Sequence, residues 1–524
     1  MAERVRFTVD GQPGAADAGV SLLAALWNDG VRSLRTSVAG EPRGPLCAMG
    51  TCFECRVDVD GEPHVRSCLT AVREGMSVSL RGAGRPADVL EAPAAARAPS
   101  REPLEADVVV VGGGPAGLAA AIHSAEAGAR TLVVDAYARP GGQIWRHRSE
   151  PPPAARRWIA RFEGARITRL PGAFVVDARD RELLVEHDGD ARRVRYARLV
   201  LATGARELFL PFPGWTLPGV VGIGGAQALL KAGGSFRGRR VLVAGSGPLL
   251  PAVAAALAAA GARIVGIAEQ APRGRLAAFG AGLWRAPGKI VEGLGYAARL
   301  AGVSYRTGSW LREVETLGGA LRATLGDGRR AWTVDCDVVA CGFGLVPNLE
   351  LPRLVGCEIA DNRVVTRAAQ ETSVAGVYAV GELCGIAGVE HALVTGAIAG
   401  LAATGQKISA ALARRGVHER AFGLRLERAF ALRAELRGLA GPDTLVCRCE
   451  DVALGRCAGS ASVREAKLLT RAGMGPCQGR VCGPALAFLH GWPSDTPRPP
   501  LAPTPLATLM QEPEPRDAAR PARL

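Results

Sequence analysis

Four cysteines, Cys47, Cys52, Cys55 and Cys68, constrain this chain more than any other feature of its 524 residues. Three form a Cys-x4-Cys-x2-Cys run and the fourth follows after twelve intervening residues. Closely spaced cysteines on one loop can wrap three thiolates around a two-iron cluster while the fourth arrives from the next strand. Gly44 and Gly50, with the small residues Ala48 and Thr51, let backbone N–H groups approach the sulfides. The four-then-two spacing predicts a [2Fe-2S] cluster; a zinc site, the rival, usually shows paired short spacings. Around these cysteines, residues 1–90 alternate as short strands (4–9, 54–59 and 76–80) beside one amphipathic helix near residues 21–29, a small β-rich domain.

A second quartet pairs Cys447-x-Cys449 with Cys477-x4-Cys482, across a predicted helix and loop in residues 441–492. Either pair alone is a weak signal. The glycines of GMGPCQGRVCGP suggest a loop wrapped on a second [2Fe-2S] cluster, with zinc and unligated buried cysteines as the other readings. The chain has 13 cysteines, an odd count that favours metal ligation over a disulfide framework. Cys336, Cys341, Cys357, Cys384 and Cys457 lack partners at ligand spacing and read as small core residues.

Between the quartets the grammar changes. Residues 91–105 are an Ala/Pro/Arg linker. An apolar strand over 106–111 then runs into Gly112-Gly113-Gly114-Pro115-Ala116-Gly117, a helix and a second strand ending at Asp135. In such a unit Gly112 makes the turn, Gly114 admits a pyrophosphate, Gly117 lets helix pack on strand, and the carboxylate accepts from a ribose hydroxyl. Arg139-Pro140-Gly141-Gly142-Gln143 follows. Far downstream, Gly376-Val377-Tyr378-Ala379-Val380-Gly381-Glu382 supplies a strand ending in glycine plus carboxylate, suited to the ribityl end of FAD. Gly142, Gln143, Thr203 and Gly204 join Gly112, Gly114, Pro115, Ala116, Gly117, Asp135, Gly381 and Glu382 as expected FAD contacts. The pattern recurs at Gly245-Ser246-Gly247-Pro248-Leu249-Leu250 with Glu269 after the next strand. Leu250 fills the third glycine position, where a bulky side chain pushes helix from strand. Gly245, Gly247 and Glu269 could hold NAD(P) or another adenine nucleotide, or the unit could be structural.

Several classes are excluded. The net charge of +14 comes from scattered arginines without a basic block or stacking aromatics, so no nucleic-acid partner is expected. The apolar stretches 249–262 and 397–403 fall short of the roughly 20 residues needed to span a bilayer. The amino terminus resembles neither a secretory nor a transit peptide, which gives a cytoplasmic expectation. No Cys-x-x-Cys lies in the nucleotide units, and no histidine has a triad context. His391, after the second FAD segment, is the one candidate for a catalytic role.

The stretch PLCAMGTCFECRVDVDGEPHVRSCLT resembles the ferredoxin-like [2Fe-2S] module of hydrogen cyanide synthase, heterotetrameric sarcosine oxidase and related dehydrogenase α subunits. VVVVGGGPAGLAAA, PGGQIWR, VLVAGSGPLL and GVYAVGELCG resemble their FAD subunit, and the carboxy-terminal quartet resembles its bacterioferritin-associated-ferredoxin-like domain. Glu382 stands where many flavoproteins carry Asp. The resemblance implies a multidomain α/β chain: a ferredoxin-like domain (1–90), two Rossmann-like domains in a glutathione-reductase-like arrangement, and an α-rich iron–sulfur domain (441–492). The FAD domain would take 106–213 and 345–410, the second Rossmann-like domain 214–344, a helical linker 411–440 and a Pro-rich tail 493–524. It further implies FAD, clusters on both quartets, an external electron acceptor and an amino-acid-oxidase-like FAD β subunit. The function implied is electron transfer in a dye-linked dehydrogenase of the D-hydroxyproline, proline, opine, sarcosine or cyanide-forming glycine class. A self-contained NAD(P)H reductase is the alternative.

Overall fold

A computed structural model describes residues 3–80, 102–493 and 496–510; most of the expected linker 91–105 therefore lies outside the described residues. In the amino-terminal unit, strands Gln12–Asp17, Arg4–Val9, Met76–Ser79, Arg56–Val59 and Glu62–Arg66 form one sheet in that order. Arg4–Val9 pairs in parallel with Met76–Ser79 and antiparallel with its hairpin partner. Helix Leu22–Asn28 buries six consecutive residues, Leu22 to Trp27, and Ser21 caps it by accepting from the Ala24 N–H. Strands Gln12–Asp17 and Glu62–Arg66 were not legible in the sequence: neither presents a buried apolar face, and each is carried by a hairpin partner.

The next sheet is ordered Ile167–Pro171, Thr131–Asp135, Leu104–Val111, Asp190–Leu201, Glu182–His187, Phe174–Arg179, with Val377–Ala379 pairing in parallel to Asp190–Leu201. Its first strand begins at Leu104, two residues before the apolar run, because Leu104 and Glu105 pair with Val194 and Arg195. Helix Pro115–Glu126 packs on helix Val389–Ala403. Backbones meet there: a Cβ on Gly396 would lie 2.1 Å from the Ala116 carbonyl oxygen, and one on Gly400 2.4 Å from that of Ala120. The distant carboxy-terminal half of the FAD-type domain is thus set directly on the first glycine-loop helix.

A second sheet, all parallel, runs Val220–Gly222, Val338–Gly342, Arg240–Gly245, Arg263–Glu269, Tyr305–Thr307, flanked by an antiparallel trio over residues 310–336. The two crossings between the sheets pair with one another, Ala205–Glu207 antiparallel to Leu345–Pro347. Helix Ala410–Ala429 leads to the carboxy-terminal unit, a small hairpin (Leu445–Cys447 with Val452–Ala453) and helices Val463–Thr470 and Cys482–His490. Part of the Pro-rich tail is fastened down: the Leu501 N–H donates to Val176 O (2.9 Å) and its side chain is buried against the first Rossmann-like sheet.

Candidate flavin and iron–sulfur site

All four cysteines of the first quartet are buried, and they stand as two pairs. The sulfurs of Cys47 and Cys52 are 3.0 Å apart, and Cys55 is hydrogen-bonded to Cys68. Ala48, Gly50 and Phe53 adopt left-handed backbone conformations that curl the loop, so that the N–H groups of Met49 and Cys52 and the Thr51 hydroxyl all donate to the Cys47 sulfur at 3.4 Å. Burial alone would raise the Cys47 thiol; the contact with the Cys52 thiol and these hydrogen bonds outweigh it and hold the group below the usual thiol range. Among the described residues no three His, Cys, Asp or Glu side chains gather on a single ion. Two irons, each needing two thiolates, match a paired donor set, and the N–H groups aimed at sulfur are the hydrogen bonds that tune such a centre.

The second quartet is linked end to end. Cys447 is hydrogen-bonded to Cys449 and Cys482, and Cys449 to Cys477. Cys447 is held well below the usual thiol range by those bonds and by the Gly473 and Glu450 N–H groups; the bond to Cys449, with the Val481 and Gly479 N–H groups, lowers Cys477. Gly475 is required, since a Cβ there would lie 2.2 Å from that of Cys449. The other five cysteines are also buried and free.

The first glycine loop leaves its backbone bare. Gly117 has no room for a side chain, its Cβ falling 1.8 Å from Gly112 O, and one on Gly112 would lie 2.2 Å from Ala202 O. Pro115 is the first residue of the helix, with Gly114 preceding it. Gly142 lies across Gly114, a Cβ on it being 3.0 Å from the Gly114 Cα, and Gly141 N–H donates to Gly113 O (2.7 Å). Asp135 sits at the end of its strand, raised to about 6 by burial that hydrogen bonds from the Tyr137, Gly113 and Ala136 N–H groups only partly offset. Gly381, at φ 66°, brings the distant segment against Ala116. Gly204 faces open space, while Thr203 is tied to Asn348 on the returning crossing.

Three residues on the segments packed near this loop have buried polar atoms without a hydrogen-bond partner among the described residues: both amide atoms of Gln143, Oε2 of Glu382 and both ring nitrogens of His391. Glu382 uses only Oε1, accepting from the Gly388 N–H (2.9 Å), and burial raises it to about 7. His391 is 3 % exposed in the first turn of helix Val389–Ala403, and burial, with Arg420, lowers it to about 4, so it is a neutral imidazole. A folded chain rarely leaves buried donors and acceptors unpaired. Unmade bonds beside a floor of bare backbone fit the ribityl, ring and diphosphate parts of FAD.

The second loop is covered in part by the chain itself, although a Cβ on Gly247 would still meet nothing within 4 Å. Its helix begins at Leu249, one loop position later than in the first unit, and Leu250 is fully buried. The Glu269 carboxylate, 0 % exposed, accepts from the Gly247 and Ala271 N–H groups, both at 2.8 Å. Over the loop lies the chain itself: the Ser246 hydroxyl donates to Phe430 O (3.1 Å), and Gln270 Oε1 accepts from the Arg433 N–H (3.2 Å).

Contacts invisible in the sequence join these parts. Arg146, which ends the loop begun by Gly141 and Gly142, donates to Ala48 O (2.8 Å) and Cys68 O (2.9 Å). The Tyr137 hydroxyl donates to Met49 O (2.7 Å), and Lys231 Nζ to Ile144 O (2.7 Å). Glu207, raised to about 8 mainly by burial, accepts from the Gly224 and Gly225 N–H groups beside the first quartet.

Residues 106–399 match the family described as pyridine nucleotide-disulphide oxidoreductase, and residues 2–81 the 2Fe-2S iron-sulfur cluster binding domain. The chain is 35 % identical over 426 residues to hydrogen cyanide synthase subunit HcnB of Pseudomonas aeruginosa, covering 71 % of this chain and 90 % of that one. The chain belongs to this oxidoreductase family. An opine oxidase subunit of Rhizobium meliloti is 32 % identical over 461 residues, with 78 % and 99 % covered. The crystal structure of L-proline dehydrogenase from P. horikoshii shares the fold at a TM-score of 0.70 and 19 % identity, covering 97 % of this chain and 98 % of that one. This member of the family is therefore a multidomain α/β oxidoreductase with an FAD-type dinucleotide domain and a 2Fe-2S domain. Its relatives are named as subunits, and among the described residues no helix is long and apolar enough to cross a membrane.

Proposed function

We propose that this chain is the electron-transfer subunit of a heteromeric dehydrogenase of amino acids or secondary amines, with FAD on the first glycine loop and [2Fe-2S] clusters on both cysteine quartets. The substrate class is that of D-hydroxyproline, proline, opines, sarcosine or glycine. Oxidation takes place with an amino-acid-oxidase-like β subunit, and the electrons pass to an external acceptor. The observation that carries this reading is the loop from Gly141 to Arg146. Its glycines floor the flavin cleft, and its arginine holds two carbonyls of the first quartet's loops, one of them on Cys68 itself. When bound, FAD supplies two-electron chemistry that can be released one electron at a time to iron–sulfur centres. The chain's residues bind and orient it: Gly112, Gly114 and Gly142 accept the diphosphate, Asp135 the adenosine ribose, and Glu382 and Gln143 the groups for which they have free hydrogen-bonding capacity. His391, a buried uncharged imidazole beside Arg420, is the one candidate for direct contact with the reacting ring. The cyanide synthase and opine oxidase relatives, both named as subunits, support the heteromeric assignment.

The alternative, an NAD(P)H reductase, is disfavoured by the cover that Phe430 and Arg433 place over part of the second loop. The assay is copurification with the product of an oxidase-like gene, followed by a screen of amino acids with an artificial dye. Turnover that needs both chains is expected; turnover by this chain alone with NADH would overturn the assignment.

A further inference from the structure

Glu54 directly precedes the ligand position Cys55, and Arg448 stands between Cys447 and Cys449. Though far apart in the chain, they form a buried ion pair, Arg448 Nε to Glu54 Oε1 at 3.2 Å, each side chain 1 % exposed. Arg35 completes it, binding Glu54 Oε2 at 3.0 Å and the Arg448 carbonyl at 3.1 Å. Arg448 also donates to Trp215 O (2.8 Å), and the Trp215 indole N–H to Leu445 O (2.7 Å). Nearby, Arg43 pairs with Asp451 at 2.8 Å.

A buried ion pair is a poor source of stability, because desolvation cancels most of its attraction. This one is odder still, with two guanidinium groups on one carboxylate and so a net positive charge away from water. An uncompensated buried charge is not tolerated unless opposite charge is close. The compensation available is the quartets: four thiolates and two sulfides around two ferric irons leave each centre with excess negative charge. Two such centres side by side repel, and a cationic residue set between their loops offsets that repulsion.

We propose that Arg35, Glu54 and Arg448 are positioning residues that seat the carboxy-terminal quartet on the ferredoxin-like one, and that their net positive charge stabilises two anionic clusters at close range. This rests on the assignment of [2Fe-2S] clusters to both quartets. It goes further in naming the junction between them and the sign of its effect.

The test uses the full chain, reconstituted anaerobically with iron, sulfide and FAD, and compares it with Glu54→Gln, Arg448→Gln and Arg35→Gln. Iron and sulfide are counted first; an unmodified chain holding iron for one quartet alone would sink the two-cluster assignment, a failure separate from that of the junction. Potentials are then read by redox titration with electron paramagnetic resonance. Arg448→Gln is expected to shift the cluster potentials downward and Glu54→Gln upward, and both to lose the signal splitting that neighbouring reduced clusters show. Arg35→Gln should shift them in the same direction as Arg448→Gln, and serves in its place should Arg448→Gln fail to retain iron. A merely structural role would lower iron content without opposite shifts. Iron-replete variants with unmoved potentials and undiminished splitting would overturn the proposal.

Discussion

In the first dinucleotide unit Gln143, Glu382 and His391 carry buried polar atoms with hydrogen bonds still to make; in the second, residues 430–433 bond to Ser246 and Gln270, and Glu269 takes the Gly247 N–H. Both units have the strand, turn, helix and terminal carboxylate of a nucleotide site, and in both the carboxylate takes a hydrogen bond from its own loop. The difference lies in what covers the loop. One motif can hold a cofactor or serve as a seat for the chain's own linker, and only the inventory of satisfied and unsatisfied groups separates the two uses.

The most damaging change expected is Gly117→Val. With a Cβ already 1.8 Å from Gly112 O, the helix cannot stay on its strand, and the purified chain should release no FAD on acid treatment. Leu250→Val at the equivalent place in the second loop should leave flavin content unchanged. Next come the orphaned groups. Glu382→Gln or Gln143→Ala should each weaken FAD rebinding by about tenfold, or roughly 1.4 kcal/mol, in a fluorescence-quenching titration; unchanged affinity would mean that these atoms face something else.

The second loop has its own signature in pH. Burial raises Glu269 from 4.5 to about 7, partly offset by the Ala271 and Gly247 N–H groups. The folded state therefore binds this proton more tightly than the unfolded one. The contribution to stability is present in full below the unfolded value and is lost as pH rises to about 7. Glu269→Gln removes that loss, so the variant's unfolding free energy relative to the parent should climb by about 3 kcal/mol across the interval. Denaturant melts at several pH values read this, and a flat difference would show a solvated carboxylate. The smallest effect is none: anaerobic mixing with NADH or NADPH should leave the flavin's visible absorbance unbleached.

Much of this was legible in the sequence because it is local. Cys47, Cys52 and Cys55 lie on one loop, Gly112 to Gly117 on one turn, and the reason for each spacing is steric or coordinative at short range. What was not legible is long-range: Arg146 reaching the carbonyls of Ala48 and Cys68, Arg448 on Glu54, and residues 430–433 over the second loop. Arginine is so common in this chain, part of 64 basic residues, that no single one announces a partner. Leu250 pointed toward an atypical second loop, but a bulky residue in a motif says nothing of what fills the mouth.

We propose that the first glycine loop holds a nucleotide and that the second, partly covered by residues 430–433, does not. Acid release of bound nucleotide from the anaerobically purified chain, resolved by chromatography, tests both halves together. FAD in proportion to protein with no other adenine nucleotide is the predicted result; a second nucleotide in equal amount, or no FAD at all, would contradict it.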